Sequence, residues 1–152
     1  MVCLCVSSLL ISLLLEYDYS MTMDIEKTIS YWLESAAYDL ETGKTLLRSK
    51  RYPYALFFGH LAIEKLLKAL VVKKSGDHAP YSHSLVVLSK KSTLEIPEAI
   101  TDQLAEFMEF HTEARYPDAK MDFYQKCTKE FSQEKFREIK KVYTWLRKKS
   151  EN

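Results

Sequence analysis

The stretch YPYALFFGHLAIEKLLKALVV, residues 52–72, decides the fold. Leu56, Ile63, Leu66, Leu67 and Leu70 recur at the spacing of one helical face. Phe57 and Leu61 lie on a different side of the same helix, flanking Glu64 and Lys68. A helix that is apolar nearly all round is a buried one, so the segment predicts a central helix. Pro53 suits its first turn, where a missing N–H costs nothing. Gly76 is a natural stop just after it. The second apolar side needs a cover. Either another helix of the chain supplies it, or Phe57 and Leu61 meet a second copy in a two-fold homodimer.

The flanking sequence is helical in the same way. Before the central segment, Ile25, Ile29, Trp32, Leu33, Ala36, Ala37, Leu40 and Leu47 predict a helix over 24–49, capped by Asp24 or Thr22. After it, SGDHAPYSHS reads as a loop, and Ser82 or Ser84 can cap a short helix over LVVLSKK. Pro97 can open a fourth helix carrying Ile100, Leu104, Phe107, Met108 and His111, which ends before Pro117. Residues 118–131 are ambiguous. Phe136, Ile139, Val142, Tyr143 and Leu146 predict a last helix from about Ser132 to Lys149. No segment has the two-residue period of a strand. The expected fold is all-α, an antiparallel up-and-down bundle of four to five helices.

Composition sets the limits on function. At 152 residues the chain suits one domain that needs no disulfide or metal staple. A net charge of +1 gives no global field for nucleic acid, so phosphate binding would need a local patch. Cys3, Cys5 and Cys127 lack zinc-type spacing and point to a reducing, cytoplasmic setting. No metal site and no cofactor is expected. Residues 2–15, VCLCVSSLLISLLL, are uncharged but shorter than the roughly 20 residues that span a bilayer. They lack the positive start and small-residue cleavage site of a secretory signal. Residues 1–20 are therefore expected to be a non-core extension, consistent with a start at Met21 or Met23. Residues 21–152 are expected to form the bundle, with no membrane partner.

The candidate chemistry lies in a few places. In EFHTEARYPD, residues 109–118, His111 and Arg115 are four apart and project from one helical face. With Tyr116 they offer a cationic corner suited to a phosphate. The plainer alternative pairs Arg115 with an acid at a helix end. His60, Glu64 and Lys68 form a stripe on the central helix. Glu64 and Lys68 have the favoured order for a helical ion pair, and the His60–Glu64 pair is expected to lack a third metal ligand. His78 and His83 lie in the loop after that helix. Arg137, Lys140, Lys141, Arg147, Lys148 and Lys149 form either a solvated face or a basic patch. Phosphate-loop, dinucleotide, zincin and nucleophile-elbow motifs are absent.

The order of these motifs resembles the HEPN domain (higher eukaryotes and prokaryotes nucleotide-binding). YWLESAAYDLETGKTLL is similar to its first helix and YPYALFFGHLAIEKLLKALVV to its second, with Glu64, Lys65, Lys68 and Ala69 in its core motif. YSHSL matches the His-x-Leu element at His83 and Leu85. EARYPD matches the Arg-Tyr-Pro element at Arg115, Tyr116 and Pro117. The similarity covers about residues 24–149. It implies a dimerising helical bundle, often encoded beside a minimal nucleotidyltransferase as a toxin–antitoxin-like pair. It also implies nucleotide or RNA-phosphate binding at Arg115, Tyr116, His111, Lys68, Glu64 and His83. Many HEPN toxins are metal-independent ribonucleases with an Arg-x4–6-His motif. Here no arginine has a histidine five to seven positions later, and His111 precedes Arg115. A ribonuclease toxin and a non-catalytic docking bundle remain the alternatives.

Overall fold

The computed structural model describes residues 24–117 and 121–151. Among them are seven helices and no strand: α1 (Ile25–Arg48), α2 (Tyr52–Ser75), α3 (Leu85–Lys91), α4 (Glu98–Glu106), α5 (Met108–Glu113), α6 (Asp122–Lys126) and α7 (Lys129–Glu151). The three long helices α1, α2 and α7 make the body of the bundle: α1 and α2 run antiparallel through a short turn, while α7 runs in the same direction as α2, with Ile139 against Gly59 and the Ser150 carbonyl accepting from Lys73. None is long and apolar enough to cross a membrane. The expected extension at residues 1–20 lies outside the described residues.

The central helix is where the sequence puts it. Leu56, Ile63, Leu66 and Leu67 are fully buried, each contributing about 1.5–3 kcal/mol of hydrophobic stabilisation. Gly76 ends α2 with φ 67°, a left-handed geometry that glycine adopts without a Cβ penalty. Asp24 caps α1 by accepting from the Lys27 N–H, and Ser84 caps α3 by accepting from Val87. Helix α7 lies close against the others. A β-carbon on Gly59 would come within 2.6 Å of Ile139, and one on Gly43 within 2.8 Å of Phe136.

Two elements differ from expectation. The single helix predicted after Pro97 is broken at Phe107 into α4 and α5. There the Phe110 N–H turns back three residues to the Phe107 carbonyl, at 3.2 Å. The same carbonyl accepts a hydrogen bond from a side chain of α2, which compensates the broken ladder. Helix α7 begins three residues before Ser132, because Thr128 acts as its cap. The Thr128 hydroxyl accepts from the Phe131 N–H and its carbonyl from Ser132.

The second apolar side of α2 is partly covered from within. Phe57 is half-buried and packs on Phe58 and on the His111 ring, 5.9 Å between centroids. Leu61 is also half-buried.

Candidate functional site

Glu64 is the centre of the candidate site. It lies mid-way along α2, 3% exposed, where an unpaired carboxylate would be costly. One turn on, Lys68 places Nζ 2.8 Å from Oε1. That ammonium also stands 5.0 Å over the Trp32 ring of α1. One turn back, His60 places Nε2 3.5 Å from Oε2. His83, at the entry to α3, sets Nδ1 at 3.1 and 3.2 Å from the two oxygens and donates to them. Burial raises the Glu64 pKa. Hydrogen bonds from His60, when that ring carries a second proton, and from Lys68 outweigh it and hold the carboxyl down at about 2.

His60 is held by the helix break. A carbonyl can only accept, so the 3.0 Å contact from Nδ1 to the Phe107 oxygen puts the ring proton on Nδ1. In the neutral ring Nε2 then has a free lone pair. It is wholly buried and has no hydrogen-bond partner among the described residues.

His111 completes the cluster from α5. Its ring stacks with His83 at 5.0 Å and lies 4.8 Å from His60. Burial, and then the neighbouring His60, Arg115 and His83 charges, push its pKa down to about 4, so the ring is neutral at pH 7. Arg115, one turn on, reaches back. Its Nε donates to the His111 carbonyl at 3.3 Å, and Nη2 lies 3.4 Å from Nδ1. The guanidinium lies 5.7 Å from the Phe57 ring and 5.2 Å from the Tyr116 ring, both cation–π distances.

The fold thus brings His60, Glu64, Lys68, His83, His111, Arg115 and Tyr116 to one end of the α2–α5 seam. The plainer expectation paired Arg115 with an acid; among the described residues it is exposed and has no carboxylate partner, and Asp118 lies outside them. The expectation that His60 and Glu64 lack a third metal ligand fails. Ligand atoms of His60, Glu64 and His111 lie within 4.8 Å of one another. Residues 47 and more apart in sequence meet here, so helical spacing could not reveal it.

The loop histidines separate. His83 joins the cluster, whereas His78 stays exposed in its turn, where its N–H bonds to Asp77. Of the basic run of α7, Arg137 and Lys140 line, with Lys44 and Arg48 of α1, a groove of about 390 Å³, and together with Lys141 and Lys148 a second of about 520 Å³, both lined by none of the cluster residues. Cys127 is buried, and burial pushes its thiol up to about 12, which leaves it unreactive.

The family profile described as HEPN domain matches residues 29–149. The chain belongs to the HEPN domain family. Two solved structures have this fold: TT1696 from Thermus thermophilus and ST0689, an archaeal HEPN homologue. The first is 22% identical with a TM-score of 0.69, the second 21% identical with a TM-score of 0.65. Each comparison covers 80% of this chain and 97% of the other. No curated protein matches the chain. In this HEPN chain histidine precedes arginine, the reverse of the Arg-x4–6-His order; His111 is buried within α5, and Arg115, just past the Ala114 C-cap, is exposed.

Proposed function

We propose that this HEPN protein binds a nucleotide or RNA phosphate through Arg115, assisted by Tyr116, as one part of a two-protein module with a minimal nucleotidyltransferase. The observation that carries the reading is the exposed Arg115 guanidinium, held at its Nε by a backbone carbonyl and between two aromatic rings, with no acid on it among the described residues. A pre-positioned guanidinium recognises phosphate in a two-pronged fork. Tyr116, 68% exposed, offers a ring for a base to stack on. Lys68 and His83 act from behind. Lys68 neutralises Glu64, which would otherwise repel the phosphate, and His83 donates a hydrogen bond to it.

Labelled ATP and short RNA test the proposal. Both should bind at low salt and weaken as salt rises, because phosphate contacts release counterions. Arg115→Ala should lose about 1.5–3 kcal/mol of that binding. Unchanged binding by Arg115→Ala would remove the site. Cleavage of RNA in EDTA that His111→Ala abolishes would favour the ribonuclease alternative. Neither binding nor cleavage, with a stable nucleotidyltransferase complex, would favour the docking bundle. The half-buried Phe57 and Leu61 support self-association as well. Sedimentation at micromolar concentration should give a dimer of the 17.8 kDa chain, and a clean monomer would reject it.

A further inference from the structure

We propose that His60, Glu64 and His111 form a binding site for a divalent transition metal, with zinc as the best-matched ion. The inference stands independently of phosphate binding and departs from what the cysteine spacing suggests. Its starting point is the orphaned Nε2 of His60, a wholly buried lone pair aimed at a carboxylate oxygen. Two electron-rich atoms facing each other in a dry interior repel unless a proton or a cation lies between them.

The geometry suits a cation. Two ligands about 2.0–2.1 Å from a tetrahedral zinc lie roughly 3.3–3.4 Å apart. His60 Nε2 and Glu64 Oε2 are 3.5 Å apart. The third ligand atom, on the His111 ring, lies within 4.8 Å of both, so a small inward shift of α5 closes the set. Among the described residues, Nδ1 of His111 has the 3.4 Å contact to Arg115, at the outer limit of a hydrogen bond.

The supporting contacts are those that metal ligands require. His60 donates its other ring proton to the Phe107 carbonyl, which fixes the ring and keeps Nε2 free. Lys68 bonds Oε1 of Glu64 at 2.8 Å and His83 Nδ1 bridges both oxygens at 3.1 and 3.2 Å, which orients the carboxylate with Oε2, and its second lone pair, toward His60. Two imidazoles and one carboxylate form a zinc-type set with an open fourth position. Magnesium and calcium want oxygen ligands and are a poor match. Lys68 lowers affinity by its own charge, so the site is expected to be weaker than a closed structural one.

The full chain titrated with zinc against a chromophoric chelator tests the site, without nucleotide or RNA. The expected result is one zinc per chain, with cobalt giving the intense visible bands of four-coordination. Glu64→Gln, His60→Asn and His111→Asn should each weaken binding at least about 100-fold, since removing a ligand exceeds the 10–100-fold effect of removing its support. His78→Ala should bind as the parent does. His111→Asn is the decisive variant where the two α2 substitutions unfold the chain, and the parent's cobalt spectrum needs no variant at all. Failure to bind equimolar zinc, a weak six-coordinate cobalt spectrum, or parent-like zinc affinity in folded His111→Asn overturns the proposal. Because no phosphate ligand is present, the outcome is separate from that of the Arg115 experiment.

Discussion

Asp39 and Glu64 are both buried acids against the central helix, 5% and 3% exposed, yet they are compensated differently. Asp39, on α1, has Lys65 of α2 at 2.7 Å, an ion-pair contact that lacks hydrogen-bond alignment. The Lys65 side chain is 25% exposed and keeps its head near water. Glu64, one residue before, faces the other seam. There Lys68, His60 and His83 all approach it, and His111 closes over them. One cation suffices to neutralise a carboxylate. The first seam has what stability asks for, whereas the second holds more nitrogen than charge balance requires. Surplus polar groups gathered around one buried acid, beside an arginine with no acid on it among the described residues, set the candidate site apart from a plain structural ion pair.

The largest break in that comparison should come from Glu64→Ala. It leaves Lys68 buried without its acid and should cost about 3–5 kcal/mol in urea unfolding. A loss under about 1 kcal/mol would show that the cluster does not depend on its centre. Acidification should come next. The His111 pKa lies near 4 against an ordinary 6.5, so the unfolded chain takes up more protons between those values. That stability is complete above pH 6.5 and lost as pH falls toward 4. Glu64 adds a second loss between 4.5 and about 2, in the same direction. Urea midpoints measured in EDTA should fall on acidification through both windows, and His111→Asn should flatten the upper one. A flat profile between pH 6.5 and 4 in the parent would contradict the buried, neutral ring. The smallest effect should be that of Asp39→Ala, about 1 kcal/mol, because Lys65 can turn to solvent. A cost equal to that of Glu64→Ala would erase the distinction between the seams.

The long helices were legible because their information is local. The period of α2, the proline in its first turn and the glycine at its end lie within one stretch. The cap of α3 was narrowed to Ser82 or Ser84, and the fold uses Ser84. The break at Phe107 was not, since its sequence is continuously helical. What stabilises it is a hydrogen bond from His60, 47 residues away. For the same reason, the His111–Arg115 pair could be placed on one face in advance, but the company it keeps could not. His60 read as a helical stripe residue, and His83 was indistinguishable from His78 until the loop was folded. The family motif pointed to Glu64, His83 and Arg115 together, but only the fold relates their distances. The Asp39–Lys65 pair had no sequence signal, because two helices must cross before it exists.

Gly59 has a consequence for access to the cluster. With no side chain there, α7 presses Ile139 onto the α2 backbone directly beside His60. That approach closes the α7 side of the α2 backbone next to His60. The exposed members of the cluster lie elsewhere, His83 in the loop before α3 and Arg115 just past the end of α5. The solvent-facing edge of the cluster is therefore set by two unrelated parts of the chain. A substitution in the loop should filter what enters while leaving the interior chemistry alone.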